Sequence, residues 1–301
     1  MSATEERNPV SEDIDILPTS EILRIMNEED AFVLKAVRAA IPSITTAVDE
    51  AAGVVINGGR IFYAGAGTSG RLGVLDASEI PPTFSAPHDL LQPIIAGGDK
   101  ALRSAVEGAE DDTEAGRDAA SSVTDRDFVL GISASGTTPF VLSFLSASKD
   151  KGASCWLLTC NETAVSSELR TPNSELRTFT IDGIIKILTG PEIIAGSTRL
   201  KAGTATKLAL NMFSTVVMIK LGRVYKGWMV DVSPSNKKLI RRAEDIIMQV
   251  TGCSREDASG CLRLSEMRTK AAIVMKSKGV TIKEAEKLLK EADGSLRRII
   301  G

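Results

Sequence analysis

The chain has 301 residues, with 36 Lys+Arg against 39 Asp+Glu and a formal charge of −3. A mixed, slightly acidic charge and only 4% aromatics exclude a basic nucleic-acid surface with stacking platforms. The single histidine, His88, excludes a His₃ or Cys₂His₂ metal site, and Cys155, Cys160, Cys253 and Cys261 form no C-x-x-C pair.

The thiols read as reduced core residues of a cytosolic protein. The N-terminal residues lack a basic region followed by an apolar stretch, so no signal peptide is expected. No continuous apolar run is long enough to predict a membrane span.

The first 20 residues are polar, contain Pro9 and Pro18, and read as an extended arm. A helix is predicted from Thr19-Ser20-Glu21 through Met26, and a second over about 30–57, with Phe32, Val33, Ala36, Val37 and Ala40 on one face. Arg60-Ile61-Phe62-Tyr63-Ala64 is a short strand leading into Gly65-Ala66-Gly67-Thr68-Ser69-Gly70 and a helix from Arg71 to Ser78. Pro81-Pro82 should end that helix, which leaves Glu79 near a helix end or in a turn.

Phe128 to Ile132 is another strand, leading into Ser133-Ala134-Ser135-Gly136-Thr137-Thr138 and a helix from Phe140 to Lys149. Further strands are expected at 93–96, 154–159 and 178–181, and a long apolar helix at 200–221. Strands alternating with helices predict an α/β fold with a parallel sheet. Gly227, Pro234 and Ser235 mark a linker, after which 237–301 reads as three or four helices. Ser254 to Asp257 and Thr281 to Glu284 both fit the capping-box spacing.

Gly65 to Gly70 matches G-x-G-x-x-G, but Asp89 precedes the next strand instead of ending it, so a dinucleotide site is a poor fit. The loop chemistry suits a phosphate. Gly67, Thr68 and Ser69 offer close backbone approach, hydroxyls and a helix N-terminus, and Ser133, Ser135, Thr137 and Thr138 repeat the device. Two such loops after parallel strands belong at the carboxyl edge of one sheet. No Walker lysine is present, so the ligand is expected to be a small phosphorylated molecule, with a phosphosugar the natural candidate. Without a useful histidine, glutamate is the candidate general acid or base, and Glu79 and Glu110 stand near these loops.

The run from Tyr63 to Thr83 closely resembles the signature of the N-acetylmuramic acid 6-phosphate etherases, a family with a sugar isomerase (SIS) fold. Thr4 to Asn8 with Ile14-Asp15, Ala105 to Asp111, Gly196 to Lys207 with Asn211-Met212, and Thr251 to Ser254 resemble further family blocks in the same order. The resemblance implies an SIS-type three-layer sandwich, a parallel sheet flanked by helices, plus a small C-terminal all-helical, UBA-like domain. The expected division is 1–50 for the arm and helices packing on the core, 51–235 for the SIS domain, and 236–301 for the helical domain.

The implied reaction removes D-lactate from C3 of the phosphosugar by elimination followed by hydration. It needs two carboxyl groups and neither cofactor nor metal. Glu79 matches the family's proton-donating residue and Glu110 its second carboxylate, one of which should have a raised pKa. Arg199 and Lys201, with Lys207, are candidate partners for the phosphate or the lactyl carboxylate. The second loop departs from the family's Ser-Gly-Arg-Thr-Pro-Tyr, since Thr137 and Phe140 replace the basic residue and the phenol. The resemblance also implies a homodimer. Ten residues separate Ser69 from Glu79, about 15 Å if helical throughout, so either that helix ends early and the chain doubles back or Glu79 serves the site of a partner subunit. A cytoplasmic location is expected, with no nucleic-acid or membrane partner. Two other readings of the fold are a non-catalytic phosphosugar-binding regulator and an aldose–ketose isomerase.

Overall fold

The computed structural model describes residues 3–162, 168–170, 178–232, 234 and 236–301. Ser235 of the expected linker lies outside them.

Helix α1, Thr19–Ile56, is unbroken where the sequence pattern suggests two helices. Asn27, Glu28 and Glu29 bridge the two apolar runs without a helix breaker, and Pro42 lies on the exposed side. Val33, Val37, Ala40, Ile44, Ala47 and Ala51 recur at three- and four-residue spacing and are buried.

The elements that follow are β1 (Ile61–Gly65), α2 (Gly67–Phe84), β2 (Leu91–Ile95), α3 (Thr113–Ala119), β3 (Phe128–Ile132), α4 (Pro139–Asp150) and β4 (Ser154–Thr159). Next come β5 (Glu168–Arg170), β6 (Thr178–Thr180), β7 (Gly183–Lys186) and α5 (Lys201–Lys220). Among the described residues, five parallel strands form one sheet in the order β2-β1-β3-β4-β7. The expected strand at 178–181 is β6, which pairs antiparallel with β5 outside this sheet. The sheet takes Gly183-Ile184-Ile185-Lys186 as its edge instead, a run too short to stand out by pattern.

Residues alternate between two buried faces, as a sheet covered by helices on both sides requires. Phe62, Val129, Cys155 and Leu157 pack with Phe140, Val141, Phe144 and Leu145 of α4. On the opposite face, Phe213 of α5 lies 6.0 Å from the Tyr63 ring and 5.6 Å from that of Phe128. Tyr63, Phe128 and Phe213 are thus buried together, where each ring contributes about 1.5–3 kcal/mol, whereas Phe32 and Trp228 are exposed. Helices α1 and α5 have the length and mean hydropathy of a membrane span, and both bury residues in this fold.

The chain divides into two compact units. The first contains the residues up to Ala77 with Asp89–Ser214, and the second Ser78–His88 with Thr215–Gly301, so the division falls inside α2 and α5. The second unit holds a short hairpin, β8 (Val224–Tyr225) with β9 (Trp228–Met229), and helices α6 (Lys237–Thr251), α7 (Arg255–Leu264), α8 (Thr269–Lys278), α9 (Ile282–Glu291) and α10 (Leu296–Ile300). That is one helix more than expected, because Leu296–Ile300 makes a separate final turn. Tyr225, Val230, Ile246, Leu262, Ile273 and Leu296 share its core. Thr281 and Glu284 form the full capping box, while Ser254 caps α7 through the Asp257 N–H.

Candidate functional site

Adjacent strands β1 and β3 run parallel with Gly65 level with Ile132, so the two hydroxyl-bearing loops leave the same sheet edge side by side. In the first loop, Gly67 has φ +52° and opens α2. Gly65 and Gly70 let strand and helix meet: a Cβ on Gly65 would lie 2.7 Å from Gly70 N, and one on Gly70 would lie 2.8 Å from Gly65 O. Thr68 and Ser69 are half-buried at the start of the helix.

The second loop is a knot of hydroxyls. Ser133 Oγ lies 2.7 Å from Thr138 Oγ1 and accepts from the Gly136 N–H at 3.0 Å. Ser135 Oγ accepts from the Thr137 N–H at 3.2 Å and from its hydroxyl at 3.0 Å. Asn161, beyond β4, donates to Ser135 O at 3.1 Å and braces the loop from the neighbouring strand. Thr138 stands at the N-cap of α4 without capping it, since its hydroxyl turns to Ser133, and Pro139 follows at the first helical position. The amides of that first turn remain directed at the loop, an arrangement that attracts anions.

The start of α5 is different. Glu192, fully buried, accepts from the Lys201 and Ala202 N–H groups, each at 2.9 Å. Burial raises its pKa, against the pull of these amides and of the Lys201 ammonium. An internal carboxylate therefore occupies this helix N-terminus. Lys201 is also buried, with Nζ 2.6 Å from Glu29 Oε2, and Asn8 of the arm donates to the same oxygen at 2.7 Å. Its charge thus meets Glu29 directly. Arg199 is exposed, as is Lys207. The first turn of α5 reaches the glycine loop, because a Cβ on Gly203 would lie 3.5 Å from Thr68 Cγ2.

Glu110 sits on a 3₁₀ turn, Ala109–Asp111, entered through Gly108 at φ +73°. It is exposed and lines a cleft of about 350 Å³ together with Gly67 and Arg71. The structure therefore brings Glu110 to the glycine loop. Arg71 was not singled out from sequence, although it directly follows Gly70 and is the cation of that cleft.

Glu79 is exposed on α2 and is not among the residues lining the cleft. The helix does not stop before Pro81, as expected, but runs to Phe84 with both prolines inside. They fall in its last turn, where few carbonyls lose a partner, and Ser85 ends the helix at φ +50°. Ten residues of continuous helix separate Ser69 from Glu79, about 15 Å at 1.5 Å per residue. A chain that doubles back between them is excluded.

One turn before Glu79, Asp76 is held between elements. Tyr63 Oη donates to Asp76 Oδ2 at 3.2 Å, and Ser214 Oγ donates to Oδ1 at 3.1 Å. Burial pushes the Asp76 carboxyl up to about 6, opposed by those hydroxyls and by Lys207.

Comparison with known proteins points to one family. A family model described as the glucokinase regulatory protein N-terminal SIS domain matches residues 43–149. An N-acetylmuramic acid 6-phosphate etherase of Rhizobium rhizogenes is 48% identical over 99% of this chain and 94% of its own length. The N-acetylmuramic acid 6-phosphate etherase 1 of Bacillus licheniformis is 48% identical over 99% of this chain and 95% of its own. The Salmonella typhimurium etherase is 44% identical over 98% and 96%. With an α/β core of the sugar isomerase type and this likeness along nearly its whole length, the chain belongs to the N-acetylmuramic acid 6-phosphate etherase family.

Proposed function

We propose that the protein cleaves the C3 lactyl ether of N-acetylmuramic acid 6-phosphate, releasing D-lactate and N-acetylglucosamine 6-phosphate. The observation that carries this is the cleft in which Glu110 meets the glycine loop, in a chain 44–48% identical to etherases.

The sugar reacts in its open-chain form. A carboxylate takes the proton from C2, the C3–O bond breaks, and the departing lactyl oxygen is protonated. Water then adds at C3 of the unsaturated aldehyde and C2 regains a proton. Glu79 and Glu110 supply the acid and base, and the chemistry calls for no cofactor or metal. Gly67, Thr68, Ser69, Ser133, Ser135, Thr137 and Thr138 hold the phosphate through hydroxyls and helix N-terminal amides. Arg199 is a further anion contact, and Lys201 acts through its pair with Glu29, which fixes the start of α5.

The protein works as a cytoplasmic homodimer in which Glu79 serves the partner's site. The length of α2 between Ser69 and Glu79 favours this, and Phe32, Leu34 and Ile41 of α1 offer exposed apolar surface to a second copy. The short capped helices after Asn236 form a UBA-like domain. The test is incubation with the substrate in deuterated, oxygen-labelled water. Lactate release with label at C3 and deuterium at C2 is expected. Tight phosphosugar binding without lactate would instead favour a non-catalytic regulator, the class to which the matching SIS model points.

A further inference from the structure

The cleft that joins Glu110 to the glycine loop contains Arg71, and this guanidinium is fixed before any ligand arrives. Its Nε donates to Ala101 O at 2.9 Å and its Nη2 to Ser104 O at 3.3 Å. A guanidinium carries five N–H donors in a planar fork, so two backbone carbonyls leave donors unspent, including both on Nη1. The rotamer is already paid for by the fold, which lowers the entropy cost of binding an anion there.

Charge bookkeeping narrows the ligand group. Among the described residues lining the cleft, Glu107 and Glu110 are acidic and Arg71 is the only cation. Lys201 is paired with Glu29 elsewhere. The substrate proposed above carries two anionic groups, a phosphate and a lactyl carboxylate. Loops of hydroxyls and helix N-terminal amides suit the tetrahedral phosphate. A fixed planar fork suits a planar carboxylate, which it can meet with two parallel hydrogen bonds.

We infer that Arg71 recognises the lactyl carboxylate, and so distinguishes the etherase substrate from phosphosugars without that group. This rests on the etherase reading. The contact holds the leaving group by its far end, so that the ether oxygen faces the carboxyl that protonates it. It also limits the acidic cleft's repulsion of an anionic leaving group. Arg71 touches substrate in this role without exchanging a proton.

The experiment pairs a change in the protein with a change in the ligand. The substrate and an analogue whose lactyl carboxylate is reduced to an alcohol are compared on the parent, Arg71→Gln and Arg71→Lys. N-acetylglucosamine 6-phosphate serves as a competitive inhibitor throughout. Loss of the carboxylate should weaken binding at least tenfold in the parent and less than twofold in Arg71→Gln, with inhibition by N-acetylglucosamine 6-phosphate changed less than twofold. Arg71→Lys should lie between. Equal weakening of substrate and N-acetylglucosamine 6-phosphate would overturn the assignment, because Arg71 would then serve the phosphate or the loop. So would a carboxylate effect that persists in Arg71→Gln. If Arg71→Gln does not fold, the same comparison on Arg71→Lys decides. Failure of the etherase reading is separately visible as a parent that releases no lactate.

Discussion

The Tyr63 hydroxyl donates to Asp76 Oδ2 at 3.2 Å, tying β1, which lies between β2 and β3 in the sheet, to helix α2. Ser214 of α5 holds the other oxygen, so one carboxyl joins a strand and two helices. Burial lifts its pKa from 3.8 to about 6. A carboxyl raised in the fold binds its proton more tightly there than in the unfolded chain. Stability therefore falls as pH rises through the interval from 3.8 to about 6 and is level above it. Asp76→Asn can keep both hydrogen bonds, because a hydroxyl donates or accepts. Calorimetry should show the variant gaining on the parent from pH 4 to pH 7, by at most about 3 kcal/mol. A constant difference would mean that Asp76 does not titrate in this window.

Glu79→Gln and Glu110→Gln should each slow lactate release by about 10²–10⁴-fold, the usual contribution of a positioned acid or base. Both side chains are exposed, so stability should stay within about 0.5 kcal/mol of the parent. Mixing Glu79→Ala subunits with Ser69→Glu subunits tests sharing. Recovered activity in the mixture is expected, and none would confine each site to one subunit.

Gly70→Ala should be among the most damaging single-methyl changes. The new Cβ would lie 2.6 Å from Ile95 Cγ1 and 2.8 Å from Gly65 O, and the second of these is backbone that has no rotamer to change. Overpacking of this kind costs about 1–3 kcal/mol. Urea unfolding should show that loss, whereas Gly53→Ala, with open space at the added methyl, should be neutral or stabilising.

Lys201→Met and Arg199→Ala should separate two basic residues that look alike in sequence. Removing the Lys201 ammonium leaves Glu29 partly buried with Asn8 as its hydrogen-bond donor, at a cost of about 3 kcal/mol. Arg199 is exposed, and its loss should leave the melting temperature unchanged. An Arg199→Ala enzyme with an unaltered Michaelis constant would remove Arg199 from the binding site.

Much of the site was legible because its signals are local. Gly65, Gly67 and Gly70 announce a tight strand-to-helix turn, and the alternation of apolar strands with helices implies parallel order. The path of α2 was not legible. A Pro-Pro pair reads as a stop, yet in a final turn it removes only a few hydrogen bonds and the helix continues to Phe84. The fifth sheet strand was missed because Gly183–Lys186 is four residues long and earns its place by pairing with β4.

By itself the sequence determined the elements with strong periodicity, the two hydroxyl loops and the family, since each depends on residues close together in the chain. The tertiary structure alone decided which charges remain available. Lys201 meets Glu29 from 172 positions away, and Arg71 comes to line one cleft with Glu110. Such pairings depend on strand register and helix packing, where the free energy of contact is set in space and leaves no local pattern in the chain.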